Sequence, residues 1–299
     1  MTDWFSFVVL PDTQIYTRSH PELFAAQTEW IAREREQQRI AFVLHAGDIT
    51  DSNEPSQWEV ARVAFEHIDG KVPYVLTTGN HDIGAGGSGD DRSTHLHATF
   101  SFAEHEKRAR SFAAFSVGDL TNTAQLFDTP LGPWLAFGLE FGPRPAVVAW
   151  AREIGAKHRG VPAVLVTHAY LYDDGTRYDF AARGDDQKWA VQGYGIGKDG
   201  AHDAEMLWNA WIKNYAELEM VVSGHVLGRG VARLSSERED GSVVHELVAN
   251  YQHTKAGGGA FLRIVEVHPD RFLVRTYSPH FDEEKLDDAN RFSLPRTKA

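Results

Sequence analysis

Short, densely apolar runs recur along the chain, and each stops abruptly at polar residues. Residues 5–10, 40–44, 72–77, 161–167 and 220–223 are too short for helices and rich in β-branched and aromatic side chains, so they predict interior strands. Between the first three the period lengthens. Leu23, Phe24, Gln27, Trp30 and Ile31 make one stripe of a helix from about Pro21, which suits a first turn, to Gln38. Trp58, Ala61, Phe65 and Ile68 make another, ending near Gly70, and Ser56 with Glu59 three residues on has capping-box spacing. Two β-α-β units in tandem predict a parallel sheet with right-handed crossovers.

Farther along, the Gly-rich residues 83–91 predict a flexible loop and residues 100–115 a partly helical segment. Residues 124–127 and 134–141 predict strands of a second sheet. Residues 144–158 predict a helix with Val147, Val148, Trp150 and Ile154 inward. Asp203 can cap a helix reaching about Tyr215 that buries Met206, Leu207, Trp211 and Ile212. From Val231 the alternation falls to period two through residues 243–249, 260–267 and 272–277, with turns at Asp240-Gly241 and Pro269-Asp270; this predicts an antiparallel meander. Residues 282–299 are polar and predict a loose tail. No repeat or Pro/Ser-rich linker divides residues 1–281, which predict a single α/β domain.

The chemistry lies where the apolar runs stop. In order, they end in Asp12 with Gln14, in Asp48, in Asn80 with His81, in His168 and in His225. Open α/β sheets collect ligands just beyond the carboxyl ends of their strands. Taken alone, Gly79-Asn80-His81-Asp82 reads equally well as a turn with a capped exit. Five strand ends of this kind weigh toward a metal site, and oxygen and nitrogen donors without thiolate suit Mn²⁺, Fe or Zn²⁺.

Composition narrows the rest. The chain has 299 residues, 42% of them hydrophobic, enough for a large core. With 42 acidic against 30 basic residues, its net charge of −12 argues against partners that require neutralising a phosphate backbone, so no long nucleic acid is expected. A small phosphorylated substrate remains compatible when bound cations supply the positive charge. The absence of cysteine excludes disulfides and thiolate chemistry. No run approaches the roughly 18 apolar residues of a membrane span. The start lacks the basic and apolar regions of a signal peptide, so the default expectation is a cytoplasmic protein with no membrane partner.

These motifs resemble the calcineurin-like metallophosphoesterases, whose signature is Asp-x-His, Gly-Asp, Gly-Asn-His-Asp/Glu, a strand-end His, and Gly-His-x-His. Here they stand as Asp12-Thr13-Gln14, Gly47-Asp48, Gly79-Asn80-His81-Asp82, Thr167-His168 and Gly224-His225-Val226-Leu227. Pro11-Asp12-Thr13-Gln14 is similar to a bacterial subgroup of that family. The resemblance implies a four-layer α/β/β/α sandwich of two mixed sheets flanked by helices, and two divalent metal ions, Mn or Fe with Zn or Mg as alternatives. It implies that Asp48 bridges the ions, that Asn80, His168 and His225 complete one site, and that Asp12 with Gln14 belongs to the other.

Two departures fall on that second site. Gln14 replaces a histidine and can ligate only weakly, whereas Leu227 replaces the last histidine and cannot ligate at all. An oxygen-rich shell favours Mn²⁺, Mg²⁺ or Fe over Zn²⁺. His253, beside Asn250-Tyr251-Gln252, is the candidate to restore a ligand.

His81 matches the family's catalytic histidine, with Asp82 or another carboxylate to orient its ring. The implied reaction is hydrolysis of a small phosphomonoester or phosphodiester by in-line attack of a metal-bound hydroxide. The alternative is a phosphoesterase fold that has lost catalysis and serves as a binding or scaffold protein, which Gln14 and Leu227 would explain. His45, just before Gly47-Asp48, is placed to support the ligands. The other histidines, among them His105 and His245, read as solvated or half-buried. The aromatic stretch 170–199 reads as an ordered loop beside the site that either lines a pocket for a ring-bearing leaving group or packs on itself.

Overall fold

The computed structural model describes residues 3–296. Three parallel strands open the chain: β1 (Phe5–Leu10), β2 (Ile40–His45) and β3 (Tyr74–Val75). The middle of the chain supplies β4 (Ser111–Ala114), β5 (Thr123–Thr129), β6 (Gly132–Leu139), β7 (Ala163–Thr167), β8 (Leu218–Ser223), β9 (Val231–Glu237) and β10 (Val243–Ala249). The C-terminal part adds β11 (Leu262–Val267), β12 (Arg271–Ser278), β13 (Glu283–Lys285) and β14 (Phe292–Pro295). One sheet runs β13-β12-β11-β1-β2-β3, with β14 also paired to β12; the other runs β4-β5-β6-β7-β8-β10-β9. Both are mixed.

Strand alternation explains the layering. On β1, Phe5, Phe7 and Val9 face the second sheet, where with Phe42, Phe127, Trp134, Val164 and Val222 they fill the space between the two sheets. Phe42 stacks on Phe7 at 5.2 Å and on Phe127, across that gap, at 5.0 Å. Val8 and Leu10 point the other way, onto helices Pro21–Glu34 and Pro55–Glu66 through Phe24, Ile31, Trp58 and Phe65. The outer face of the second sheet packs on helix Pro145–Lys157 and on Ala204–Ala210 through Val147, Val148, Ile154 and Leu207. The order of layers is therefore helix, sheet, sheet, helix.

Several expectations change. The run 72–77 pairs as a strand only at Tyr74–Val75, and beyond it the Thr77 hydroxyl donates to the carbonyl of Leu139 on β6. Helix Pro55–Glu66 starts one residue before Ser56, with Pro55 in its first turn, so the capping box does not form. Residues 83–91 are pinned rather than flexible. Gly89 donates to Ile83 at 3.1 Å, and Asn53 Nδ2 donates to the Gly84 carbonyl at 3.0 Å. Within 100–115, helix Phe102–Arg108 is followed by an edge strand. Met206 is 42% exposed, on the outer side of its helix.

The meander divides between the sheets. β9 and β10 join the second and β11 and β12 the first, and β10 lies parallel to β8. The predicted tail is likewise built in as far as Arg296: β13 and β14 pair with β12, and Arg296 forms a two-pronged ion pair with Glu219 at 2.6 and 2.9 Å. Its polar composition suits edge strands with one wet face.

Candidate metal centre

Six strand ends deliver the centre. Asp12 follows β1, Asp48 follows β2, Asn80 follows β3, His168 follows β7, His225 follows β8, and Asn250 follows β10. All leave the carboxyl ends of strands that are parallel within their sheets, and the sandwich brings the two sets of ends together. Ligand atoms of Asp48, His168 and His225 lie within 4.8 Å of one another, all buried, and this group could hold a metal ion. Asp12 accepts the main-chain N–H of His225 at 3.1 Å. Asp48 Oδ1 accepts that of His81 at 3.0 Å.

The backbone is bent to make this possible. Asp48 (φ 50°) and His225 (φ 73°) occupy the left-handed region, a strain of roughly 1–3 kcal/mol each that persists where surroundings enforce it. Gly79 and Gly224 precede ligand positions for a steric reason. A Cβ on the first would collide with the Asp48 carboxylate, and on the second with that of Asp12.

Each imidazole has one nitrogen committed to a main-chain carbonyl. His168 Nδ1 donates to Ala46 at 2.7 Å, and His225 Nε2 donates to Trp189 at 2.8 Å. That fixes the tautomers and leaves His168 Nε2 and His225 Nδ1 as the lone-pair nitrogens. His168 Nε2 lies 3.2 Å from Asp48 Oδ2. Two acceptors face each other there, so either a proton or a cation must sit between them. Without a cation, burial opposes protonation, yet the Asp48 charge outweighs it and raises His168 to about 9. Burial and the neighbouring His168 push His225 down to about 3, which keeps it neutral as a ligand must be. Burial raises Asp12 to about 7, against the pull of His168 and with Asp48 adding to the rise.

The fit to cations rests on orphaned atoms. Gln14 Oε1 and Asn80 Oδ1 are buried without a hydrogen-bond partner, and His168 Nε2 faces only the Asp48 carboxylate. Each unsatisfied polar group costs about 1–3 kcal/mol. All three can serve as lone-pair donors, and the Asp12 and Asp48 carboxylates at neighbouring strand ends are buried as well. This donor set suits divalent cations.

His81 stands half-buried at the edge. Its Nδ1 bonds the Asp51 carbonyl at 2.7 Å, so a main-chain oxygen, and not Asp82, orients the ring. Burial works against protonation of His81, but the Asp48 charge and the Asp51 carbonyl raise it above the usual histidine range. Asp82 has a different task. Its carboxylate accepts N–H groups from Gly79 (2.9 Å), Ile49 (3.0 Å) and Thr50 (2.8 Å), tying the Asn80 turn to the Asp48 turn.

His45 supports the centre from below. The Gly47 N–H donates to its Nδ1 at 3.2 Å, so Nε2 carries the proton and donates to Thr13 Oγ1 at 3.0 Å; Thr13 in turn donates to the Ile49 carbonyl. Burial keeps His45 neutral, down to about 3. His105 and His245, expected to be solvated or half-buried, are each 2% exposed.

The structure separates His253 from its neighbours. His253 is exposed, whereas Asn250 is buried and donates to Asp12 Oδ2 at 2.8 Å. Sequence reasoning passed over Asn250, although it ends an apolar run just as the other five do. Period-two alternation predicts an antiparallel meander for its strand, which places that end at the wrong edge.

The family model for calcineurin-like phosphoesterase matches residues 5–229. The chain belongs to that family. A curated relative, the uncharacterized protein YvnB of Bacillus subtilis (strain 168), is 26% identical over 305 residues, covering 97% of this chain and 21% of its own. The chain therefore spans about a fifth of the length of that relative. Among solved structures, purple acid phosphatase PPD1 from yellow lupin (Lupinus luteus) seeds superposes with a TM-score of 0.56 at 13% identity, over 99% of this chain and 54% of that one. GAP50, the anchor in the inner membrane complex of Plasmodium, does so with a TM-score of 0.53 at 9% identity, over 99% and 90%. At these identities the likeness is one of fold. Among the described residues, no helix of this calcineurin-like phosphoesterase is long and apolar enough to cross a membrane.

Proposed function

We propose that this chain is a metal-dependent phosphohydrolase acting on a small phosphomonoester or phosphodiester. The observation that carries the reading is the buried group of Asp48, His168 and His225 with ligand atoms within 4.8 Å of one another, joined by the buried, unpartnered amide oxygens of Gln14 and Asn80, with His81 at the rim. Asp48, Asn80, His168 and His225 would hold one ion, Asp12, Asp48 and Gln14 a second. The oxygen-rich second set favours Mn or Fe, with Mg or Zn as alternatives. Such ions, when bound, neutralise phosphoryl oxygens and acidify the attacking water.

The protein's own residues supply the rest. His81 Nδ1 is held by the Asp51 carbonyl, which leaves Nε2 to hydrogen-bond a phosphoryl oxygen or to protonate the leaving oxygen. Burial opposes protonation of His81, but the Asp48 charge and the Asp51 carbonyl raise its proton affinity. Main-chain carbonyls of Ala46 and Trp189 keep His168 and His225 from turning away. A cavity of about 530 Å³ lined by Phe180, Trp189 and Tyr194 would receive a ring-bearing leaving group. Net charge −12 disfavours long nucleic acids as substrates.

The purified chain with Mn²⁺ should hydrolyse an aryl phosphate or a bis-aryl phosphodiester, and chelation should stop it. His81→Ala should lower turnover about 10²- to 10⁴-fold, the usual contribution of a positioned acid. The second reading is a binding or scaffold role, favoured by Leu227 where the family has a ligand and compatible with the fold of GAP50. A metal-loaded chain that turns over neither ester, or an unchanged rate in His81→Ala, would favour that role.

A further inference from the structure

The family's last histidine ligand is Leu227 here, and the structure shows what lies beside the gap. Leu227, Asn250 and His253 share the wall of one small cavity of about 160 Å³. The segments touch directly: Asn250 N–H donates to the Gly230 carbonyl at 2.7 Å. Of the polar side chains brought up by residues 250–253, the histidine is exposed and the two amides are buried, Asn250 at 6% and Gln252 at 8% exposure.

Their orientations differ. Asn250 Oδ1 accepts the N–H of Gln252 at 3.0 Å, which turns Nδ2 toward Asp12 Oδ2. Asn250 is thus a donor that positions the Asp12 carboxylate. Gln252 Oε1 is a buried acceptor without a partner, as is Gln14 Oε1, two residues after Asp12 in sequence. The segment that follows is pressed onto the helix carrying Gln14. A Cβ on Gly257 would strike Ile15, one on Gly258 would strike the Tyr16 hydroxyl, and Ala260 N–H donates to that hydroxyl at 3.0 Å. Ala256 (φ 55°) and Ala260 (φ 57°) hold left-handed conformations to keep the loop there, strain of the kind that gathers at functional sites.

We propose that Gln252, with Gln14, supplies amide oxygens to a second divalent cation held on Asp12 and Asp48, in place of the two histidines this chain lacks. The proposal rests on the metal-dependent reading above and makes its second site an all-oxygen one. Carboxylate and amide oxygens select hard ions, so this site takes Mn²⁺ or Mg²⁺, whereas the site on His168 and His225 also accepts Zn²⁺. The two ions are then unequal, one tight and one exchangeable.

Calorimetric titration of the metal-free full chain with Mn²⁺ tests this, with bound Mn²⁺ counted by electron paramagnetic resonance. Two ions per chain are expected, the weaker displaced by excess Mg²⁺. Gln252→Leu should weaken only the second ion, by at least about tenfold, the lower end of the loss seen on disturbing a metal's surroundings. Gln252→Glu should tighten it, because a carboxylate replaces a neutral amide, and this variant decides the matter if the leucine variant does not fold. His253→Ala should change neither ion. An unchanged second ion in Gln252→Leu, no tightening in Gln252→Glu, or its loss in His253→Ala would overturn the assignment. A wild-type chain binding one ion overturns it too, while leaving hydrolysis by that ion standing; a chain binding none overturns both readings.

Discussion

The two halves of the centre are built differently. On one side, His168 and His225 are clamped by main-chain carbonyls at 2.7 and 2.8 Å, so strand ends and the loop through Trp189 set their direction. On the other, Asp12 is held by the main-chain N–H of His225 and by a side-chain amide from Asn250, more than two hundred residues away, and the amide oxygens of Gln14 and Gln252 are buried without partners. Main-chain clamping fixes a ligand as rigidly as the sheet itself. A side-chain amide can be exchanged by one mutation, and amide oxygen is a poorer donor than imidazole for borderline ions. The contrast predicts a strong imidazole side and a tunable oxygen side.

The harshest way to break the comparison is at Asp48, which under the proposed reading would hold both ions. Asp48→Asn should abolish binding at both sites and drop turnover to background, as measured by elemental analysis beside a rate assay. Retention of one ion would show that the halves do not meet at Asp48. His168→Ala and Gln14→Leu sharpen it from each side. The first should empty the tight site and cost at least about 10³-fold in turnover, a loss on the scale of a major electrostatic contributor. The second should weaken the second ion alone, by roughly 10–100-fold. Equal effects in a Mn²⁺ titration would erase the distinction.

Asp82 tests the frame under both halves. Asp82→Ala strands three main-chain N–H groups, at about 1–3 kcal/mol each, so the urea midpoint should fall even in the metal-free chain. An unmoved midpoint would mean that these turns hold without their staple.

The smallest expected effect lies away from the metals. His105 is buried against the edge of Tyr74 at 4.7 Å, and burial followed by the Arg108 charge lowers it to about 3. The folded chain thus keeps His105 neutral while the unfolded chain protonates it near 6.5. Its contribution is intact above that value and is lost as pH falls toward 3, by up to about 1.4 kcal/mol per pH unit. His105→Leu should therefore flatten the fall in urea stability between pH 6.5 and 5. A slope identical to wild type would assign the acid sensitivity to His45 and His225 instead.

Legibility in the sequence followed the range of the interactions. Runs such as residues 5–10 and 161–167 announced buried strands because burial on both faces demands unbroken apolar sequence, and their polar ends announced where chemistry could gather. Asn250 carries the same signature without revealing its role, because alternation alone cannot say whether a strand runs parallel or antiparallel to a neighbour it meets only after folding. Residues 282–295 looked like a tail for a similar reason. Short polar strands at a sheet edge differ little in composition from coil, and only the pairing with β12 makes them strands.

By itself, the sequence determined the alternation that builds two sheets with helices outside, the glycines that let carboxylates approach the backbone, and the inventory of oxygen and nitrogen donors. The tertiary structure decided which donors meet, which nitrogen of each imidazole is committed, that Asp51 rather than Asp82 orients His81, and that Gln252 is buried where His253 is exposed. The reason is distance along the chain. Periodicity reports a residue's environment within its own element, whereas a bond such as Asn250 to Asp12 exists only once both sheets have closed on each other.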